Sequence, residues 1–574
     1  MTASSRSPQK PQAISVALIA VVALGGAADA IAASPTQSLM IQPLGIHRAG
    51  LFAQSAAEIP AYCPDARRVF VVNAQTGRVD VLALDGSGGL TSAGFIDAAK
   101  EAAGSMKAVN SVSVSKGMLA VAIEAEPNTD PGVVAFYDTA TLKLKGTAPA
   151  GALPDMVAFS PDGKWALVAN EGEPSEDYTV DPEGTVTIID LHNGFEQPPT
   201  KTVTFRDWNA DGPRAGELSD LMARGLRHFG RVTLSRSPLN TRPATFAEDV
   251  EPEWIEIDSE GRLAYVCLQE ANAIAEIDIA AAAVRRIIPL GFKDHGEPGN
   301  ELDVSDKDGG VNIRAWPGLY GAYQPDTIRL FVKDGRRYIV TANEGDSRVR
   351  PLSDNAIEGA VEGGIFNDEA ALKEWNVSGT PFEDLGSNKN LGRLKLIRDL
   401  VDRHRDKEGR PTKLFSFGGR SFSIFDVESG DLVFDSGSDF ERITAARNPE
   451  HFNVSNDSLE FEKRSRSKGP EPEGLVLGEI DGKTFAFIGL ERTGGIMVYD
   501  ITEPSQSRHV GYFTNRQFDQ PMKAADGSPN PEAGDTGPEG LIFVSRERSP
   551  TGKPLVIVGN ETSGTTTVWE VVGR

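Results

Sequence analysis

The sequence is poor in cysteine, in clustered histidine and in long apolar runs. Its two cysteines, Cys63 and Cys267, form no CxxC pair, and its seven histidines form no obvious ligand pair. These absences exclude a disulfide framework and argue against a zinc or other soft-metal site. Beyond the N-terminal region the chain has no run of about 20 apolar residues, so no membrane span is predicted there.

Basic residues are also scarce relative to acidic ones. The chain has 58 Lys+Arg against 82 Asp+Glu, a formal net charge of −24. Nucleic acid is therefore not an expected partner, because phosphate binding requires clustered Lys and Arg. The charge fits cation binding and solubility outside the cell, although an ordinary acidic surface would give the same total.

The N-terminus has the pattern of a signal peptide. Arg6 and Lys10 precede an apolar stretch at 13–23, and small-x-small cleavage patterns follow at 28–30 and 30–32. The sequence predicts a signal peptide over 1–32 and a secreted protein, periplasmic or extracellular. An uncleaved anchor is the alternative, but the apolar stretch is short for a membrane span.

Glycine is abundant, with 59 residues, and it marks a repeat. Each copy opens on Pro-Asp or Pro-Glu, continues as an alternating strand, turns at a glycine, and adds an apolar strand that ends before a Glu. The clearest copies are 154–190, 252–278, 325–345, 472–500 and 538–570, and weaker copies lie at 64–83 and 110–138.

This period of about 40–50 residues is typical of propeller blades. The fifth copy stops after Gly345 and resumes at 414–427, which gives seven units. We predict an all-β, seven-bladed β-propeller of the YVTN/WD40-like kind: one domain over 40–574, with long loop insertions at 199–250 and 346–411. A β-sandwich or β-helix would not explain the repeated opening, turn and closing Glu.

Two sets of acidic residues recur within the repeat. Because the first two strands of a blade are antiparallel, the start of the first and the end of the second lie on one face. The opening set is Asp65, Asp155, Glu253, Asp326, Glu473 and Glu539, with Asn110 in the second unit. The closing set is Glu124, Glu171, Glu270, Glu344, Glu491 and Glu561, with Ala74 in the first unit.

Converging carboxylates oppose folding unless something compensates their charge. A hard cation such as Ca²⁺ takes 6–8 oxygen ligands and fits this inventory. The alternative is architectural, since a carboxylate beside a tight turn often accepts backbone N–H bonds. Arg348, Arg492 and Arg420 are further candidates for neutralising part of the ring.

A smaller acidic cluster lies at 301–310. Asp303, Asp306 and Asp308 precede Gly309, as in a calcium loop, but the spacing misses the EF-hand pattern and its later Glu. A solvated turn is the competing interpretation.

Several motifs together resemble one known family. ANEGEPSEDY (169–178), YQPDTI (323–328), TANEGDSRV (341–349), FNDE (366–369), GPEPEGL (469–475) and DTGPEGL (535–541) are similar to the choice-of-anchor I proteins. These are related to mesenchyme-specific cell-surface glycoproteins of biomineralising animals. The resemblance covers the chain from about residue 40 onward.

The resemblance implies a secreted or surface propeller. Members of the family are often labelled alkaline phosphatase-like, and the animal relatives are associated with calcium mineral, which supports a Ca²⁺ role for Glu171, Glu344, Glu473 and Glu539. The chain ends at Arg574 directly after the last blade strand, so release is expected rather than attachment.

The first functional hypothesis is a calcium-binding, metal-dependent phosphoesterase acting on a phosphorylated small molecule. No nucleophile elbow is found, so metal and carboxylates would carry the chemistry. The metal ligands would be Glu171, Glu270, Glu344, Glu473, Glu491 and Glu561. Asp155 or Glu539 would be the general base, and Arg348 or Arg492 the phosphate clamp.

Two alternatives stay open. One is a non-catalytic binding or adhesion module for a surface glycan or protein, with structural Ca²⁺. The other is a lactonase-like hydrolase, which would share the same kind of central metal site.

Overall fold

Short alternating segments separated by glycine turns form strands that pair into antiparallel sheets. The computed structural model describes residues 39–102, 104–233, 241–348 and 367–573. The predicted signal peptide, 1–32, lies outside the described residues. Cys63 and Cys267 are both buried and are not bonded to each other.

The described residues of the N-terminal half form four four-stranded sheets, each with its strands in chain order. One strand precedes them and pairs with the last strand of the chain. That strand is β1 (Leu39–Arg48). The first sheet is formed by β2 (Pro60–Cys63), β3 (Arg68–Asn73), β4 (Arg78–Leu84) and β5 (Leu90–Ile96), and the second by β6 (Met106–Ser115), β7 (Met118–Ala125), β8 (Pro131–Asp138) and β9 (Leu144–Ala152). The third is formed by β10 (Pro154–Phe159), β11 (Trp165–Asn170), β12 (Thr185–Asp190) and β13 (Thr200–Thr204). The hairpin β14 (Arg231–Thr233) and β15 (Thr241–Pro243) follows, and the fourth sheet is formed by β16 (Pro252–Ile257), β17 (Leu263–Leu268), β18 (Ala273–Asp278) and β19 (Ala283–Pro289).

The described residues of the C-terminal half form three more such sheets and one five-stranded sheet. In chain order its strands are β20 (Phe292–Asp294), β21 (Leu319–Ala322), β22 (Ile328–Lys333), β23 (Arg336–Asn343), β24 (Glu369–Ala370), β25 (Leu396–Ile397), β26 (Leu414–Ser416), β27 (Ser421–Asp426), β28 (Leu432–Asp435), β29 (Pro472–Ile480), β30 (Lys483–Leu490), β31 (Ile496–Asp500), β32 (Arg508–Phe513), β33 (Pro538–Val544), β34 (Leu555–Asn560) and β35 (Thr565–Gly573). The sheet orders are β22-β23-β27-β28, β29-β30-β31-β32, β33-β34-β35-β1 and β20-β21-β26-β25-β24.

Helices are short and lie in the connections. The α-helices are α1 (Ala98–Glu101), α2 (Leu218–Ala223), α3 (Phe246–Asp249), α4 (Arg398–Arg403) and α5 (Asp439–Arg447). Single 3₁₀ turns occupy Ala74–Thr76, Arg206–Trp208, Ala215–Glu217, Leu372–Glu374, Glu383–Leu385, Leu391–Arg393, Pro449–His451, Pro504–Gln506 and Pro531–Ala533.

The seven four-stranded sheets of the described residues form a closed ring. Their first strands contact one another in the cyclic order β2, β6, β10, β16, β22, β29, β33 and back to β2. Strand β1 completes the last sheet by pairing antiparallel with β35. Apolar clusters fill the space between neighbouring sheets; Val340, Phe422 and Tyr499, for example, are fully buried between the fifth and sixth. The predicted all-β propeller architecture is confirmed.

Two segments differ from the sequence interpretation. Thr200–Thr204, inside the predicted insertion 199–250, is the fourth strand of the third sheet. The segment 414–427 is not one strand of the fifth unit: β26 joins the five-stranded sheet and only β27 joins the fifth four-stranded sheet. The chain turns between them at Gly418, whose φ is +75° and whose added Cβ would lie 2.1 Å from the carbonyl oxygen of Glu344.

Candidate functional site

The starts of the first strands and the ends of the second strands meet at one mouth of the ring. In the third sheet Pro154 pairs with Asn170, and in the last sheet Pro538 pairs with Asn560. The register of four of these pairs is irregular directly after the proline, where the opening acidic residue stands. Such bulges re-aim a side chain, and here they belong to strands that surround the channel.

Glycine next to the opening acid lets neighbouring sheets approach closely at this mouth. A Cβ on Gly474 would lie 1.8 Å from the carbonyl oxygen of Glu539, and one on Gly540 would lie 2.7 Å from that of Glu58. Only glycine fits such contacts without moving a strand. The carboxylates of adjacent sheets are thereby held close together.

A cavity of about 170 Å³ lies in the channel at this mouth. Five carboxylates line it, together with the Asn110 amide and apolar groups from the strands. They are Asp155, Glu171, Glu253, Asp326 and Glu539. We call these five and Glu473, which approaches Asp326, the channel carboxylates.

The channel carboxylates form no close ion pairs with the described part of the chain. Among the described residues, none of the six forms an ion pair, in contrast to carboxylates further out on the rim. Within the described ranges, three buried oxygens have no hydrogen-bond partner: Oε2 of Glu253, of Glu473 and of Glu539. An orphaned buried carboxylate oxygen is costly, so something must compensate these charges.

Burial raises the pKa of every channel carboxylate, and neighbouring carboxylates add to the effect, although Thr327, Lys468 and Arg329 oppose it at Asp326. The pKa of Asp326 rises to about 6 and that of Asp155 to about 7. The pKa values of Glu171, Glu253, Glu473 and Glu539 lie well above the usual range. The mouth therefore holds protons tightly unless a cation replaces them.

Three triads bring carboxylate oxygens together, and two of them share Glu344. In each, one oxygen from every residue lies within 4.8 Å of the others. Two oxygens on opposite sides of a Ca²⁺ ion are about 4.8 Å apart, given Ca–O distances of about 2.4 Å. The triads are Asp326–Glu344–Glu473, Glu58–Glu539–Glu561 and Glu344–Glu471–Glu491.

Lys468 supplies a built-in positive charge on one side of the mouth. Its Nζ lies 2.6 Å from Glu344, 3.2 Å from Glu471 and 3.3 Å from Asp346. Burial alone would raise the pKa of Glu471, but Lys468, Arg464 and Arg492 lower it below its usual range. Burial still raises the pKa of Glu344 well above its usual range, although Lys468 opposes this.

Two of the predicted metal ligands, Glu491 and Glu561, are hydrogen-bonded or ion-paired by other side chains. Glu491 accepts from Asn456 at 2.9 Å and pairs with Arg492 at 2.8 Å, yet burial raises its pKa to about 8. Glu561 accepts from the Ser55 hydroxyl at 2.9 Å. Glu171, Glu344, Glu473 and Glu561 each line the cavity or belong to a triad.

Glu270 lies one residue beyond the equivalent of Glu171. Leu268 pairs with Pro252 as Asn170 pairs with Pro154. Gln269, and not Glu270, therefore occupies the position in the fourth sheet that Glu171 occupies in the third. The Gln269 amide donates to Glu344 at 2.9 Å. Glu270 is buried with an unpartnered Oε2, and burial raises its pKa to about 7 despite Arg348.

The two arginines predicted as phosphate clamps are engaged by carboxylates. Arg348 is buried and donates to Glu251 at 2.9 Å, to the Asp249 carboxylate at 2.5 Å and to its carbonyl at 2.6 Å. Arg492 bridges Glu471 and Glu491 and is 27% exposed. Arg420, the third candidate for neutralising the ring, pairs instead with Glu441 at 2.6 Å.

The opening position of the first unit was wrongly read from the sequence. Asp65 lies in the turn between β2 and β3, at the far end of the sheet, as Asp162 does in the third sheet. Pro60 pairs with Val71 in the first sheet as Val157 pairs with Val168 in the third. Glu58 is therefore the equivalent of Asp155 and stands at the mouth. The repeated Pro-Asp of that turn, at 64–65 and 161–162, is the signal that would have given the correct phase.

Lys468 and Glu471 were also missed. Lys468 directly precedes the GPEPEGL motif and Glu471 lies within it, but contacts 124 residues apart, such as Lys468 with Glu344, leave no local pattern.

The family model of the choice-of-anchor I domain matches residues 58–504. The chain belongs to the choice-of-anchor I domain family. The family predicted from the motifs is therefore confirmed.

Two curated proteins show the relationship of this choice-of-anchor I protein at the sequence level. It is 28% identical over 291 residues to the mesenchyme-specific cell surface glycoprotein of Strongylocentrotus purpuratus, covering 47% of this chain and 37% of the relative. It is 31% identical over 198 residues to gigasin-3a of Magallana gigas, covering 32% of this chain and 65% of the relative. The chain thus matches less than two thirds of either relative.

Solved structures show only distant likeness. Kuenenia stuttgartiensis hydrazine synthase has a TM-score of 0.41 and 13% identity, covering 90% of this chain and 95% of that one. The β-propeller domain of Myceliophteria thermophila Cps50 (Swd1) has a TM-score of 0.40 and 10% identity, covering 93% and 100%. Likeness at this level carries no argument about function. Within the described ranges, no helix combines the length and apolarity needed to cross a membrane.

Proposed function

We propose that this protein is an extracellular, calcium-binding propeller whose seven four-stranded sheets are its seven blades, with the cation held at the acidic mouth of the channel. The observation that carries the proposal is the set of channel carboxylates that form no ion pair among the described residues, three of them with buried oxygens that accept no hydrogen bond there. Compensation by a bound divalent cation removes that cost, and hard oxygen ligands suit Ca²⁺.

The donor set fits a hard cation and not a soft one. Cys267, near Asp326, donates its thiol to the Pro325 carbonyl at 2.8 Å, and burial raises the pKa of that thiol well above its usual range. A neutral thiol is a poor metal ligand. The best-placed ligands are Asp326, Glu344 and Glu473, with Glu58, Glu539 and Glu561 forming a second group at the same mouth.

The location fits the same proposal. The family and its relative named as a cell surface glycoprotein suggest an extracellular or surface location. We infer secretion through the signal peptide at 1–32. A surface glycan or protein is the partner class for a non-catalytic module with structural Ca²⁺, which is the form of the proposal that requires no further chemistry.

The test measures calcium stoichiometry on the full chain after EDTA treatment. Glu473→Gln should bind fewer calcium ions than the native protein, or bind them at least ten-fold more weakly. The matched control is Glu479→Gln, because Glu479 is exposed on the same strand, β29, at its other end. Equal calcium binding by both variants, or none by the native protein, would contradict a channel site.

Phosphoester hydrolysis is a second candidate, favoured by one observation. Asp155 lines the cavity and its pKa is raised to about 7, the range suited to a general base. Arg348 would have to leave Asp249 and Glu251 to hold a phosphate, so the partly exposed Arg492 is the better clamp.

The assay for this candidate uses a generic phosphomonoester and a phosphodiester, each with Ca²⁺ and with EDTA. Calcium-dependent turnover that falls at least 100-fold in Asp155→Asn, with calcium binding retained, would support it. Stoichiometric calcium without turnover would leave the binding module.

A further inference from the structure

A second acidic cluster lies outside the channel mouth. It joins the loop 303–312 to the segment 452–465 and consists of Asp303, Asp308 and Glu462. One carboxylate oxygen of each lies within 4.8 Å of the others. We call these three residues the loop triad.

One carboxylate oxygen of Glu462 is buried without a partner. The residue is 1% exposed, and among the described residues its Oε1 has no hydrogen-bond partner. Asp308 likewise has a buried Oδ1 without a partner, while its Oδ2 accepts from the Asn312 amide at 3.1 Å. Two orphaned oxygens therefore accompany three converging carboxylates, which is costly without a cation.

Asp303 is positioned by the backbone of its own loop. Its two oxygens accept from the amides of Ser305 at 3.1 Å and Asn312 at 2.6 Å, which closes the loop around the carboxylate. The backbone amide of Asp303 donates to Glu441 at 2.8 Å. The loop is thus fixed against helix α5 before any ligand arrives.

The basic side chains of this region are used elsewhere. Arg393 pairs with Asp306 at 2.7 Å, and Arg420 pairs with Glu441 at 2.6 Å. Among the described residues no ion pair includes a member of the loop triad, so their charges are not neutralised by the protein.

We propose that the loop triad is a second Ca²⁺ site, independent of the channel, which ties the loop 303–312 to the segment around Glu462. The three carboxylates supply part of the 6–8 oxygens that Ca²⁺ takes, and backbone carbonyls or water supply the rest. No sulfur or imidazole belongs to the triad, so soft metals are disfavoured.

The first measurement needs no variant. Amide hydrogen exchange in peptides spanning 303–312 should slow at least ten-fold when Ca²⁺ is added to the EDTA-treated full chain. Glu473→Gln should retain this slowing, because the channel is a separate site. Unchanged exchange in 303–312 on calcium addition would overturn the proposal while leaving the channel site untouched.

The second measurement counts ions. Glu462→Gln should bind one calcium fewer than the native protein and lose the slowing in 303–312. Glu460→Gln is the matched control, because Glu460 is exposed two residues away and carries the same charge. Asp308→Asn should weaken the same site and serves if Glu462→Gln does not fold. Retention of the full calcium count and of the slowing by the Glu462 or Asp308 variant would overturn the proposal.

Discussion

At the scale of single residues, the rim shows two solutions to the same electrostatic problem. Where Lys468 inserts its ammonium among Glu344, Glu471 and Asp346, the protein neutralises its own carboxylates. Glu253 and Glu539, which line the cavity, have no such partner among the described residues, and each keeps a buried oxygen without a hydrogen bond. The contrast marks Glu253 and Glu539 as carboxylates that no ammonium group of the described residues neutralises.

Replacing Lys468 should expose this difference. Lys468→Met leaves Glu344 and Glu471 buried without their ammonium, so unfolding free energy should fall by about 3–5 kcal/mol in EDTA. Calcium should restore part of the loss, because an ion can take the vacated position. Urea unfolding with and without Ca²⁺ measures both effects.

The control for that experiment is Lys389→Met, because Lys389 is exposed. A loss for Lys468→Met no larger than for Lys389→Met would show that the buried ammonium contributes little.

At the scale of strands, close contact between neighbouring sheets sets the distance between carboxylates. Gly474 on β29 lies against the Glu539 backbone of β33, where an added Cβ would be 1.8 Å from the carbonyl oxygen. The spacing of Glu473 and Glu539 therefore depends on a residue with no side chain.

Gly474→Ala should separate these two strands. Overpacking of this kind costs about 1–3 kcal/mol, and calcium affinity should fall as the oxygens move apart. Thermal unfolding and calcium titration test this against Gly386→Ala, whose added Cβ would meet nothing within 4 Å. If both variants bind calcium equally, strand spacing does not control the site.

The repeat predicted which strand ends converge, because antiparallel pairing alone dictates it. The repeat did not show where the first unit begins, because the turn Pro64-Asp65 has the same sequence as the Pro-Asp that opens other units. Only the pairing of β2 with β3 distinguishes the two. The five-stranded sheet escaped prediction because β24 and β25 are two residues each, too short for periodicity. Lys468 could not be placed because its partners are brought to it by the ring.

At the scale of the whole molecule, the raised pKa values add up to a pH dependence. A carboxylate whose folded pKa is above its unfolded value binds more protons when folded, so stability is highest at low pH and is lost as pH rises through the folded pKa. Asp155 and Glu270, at about 7, and Glu491, at about 8, titrate in this way near neutrality.

In EDTA, the melting temperature should therefore fall between pH 6.5 and 8.5. Each proton bound in excess by the folded state makes the slope about −1.4 kcal/mol per pH unit. Saturating Ca²⁺ should flatten the slope, because the ion replaces the protons. Scanning calorimetry across this range checks it, and a melting temperature that rises with pH in EDTA would contradict the raised values.

Strand β1 gives the ring a particular order of assembly. It pairs with β35 from Leu39–Gly573 to Arg48–Thr565, so the last sheet is built from segments more than 500 residues apart. Contacts this distant in sequence form slowly, since a long loop must close first. The mouth of the channel is complete only when that sheet, which carries Glu539 and Glu561, has docked between its neighbours. Folding intermediates with an open ring thus have an incomplete set of carboxylates. Calcium in the surrounding medium would bind the closed ring in preference and so shift the folding equilibrium toward it.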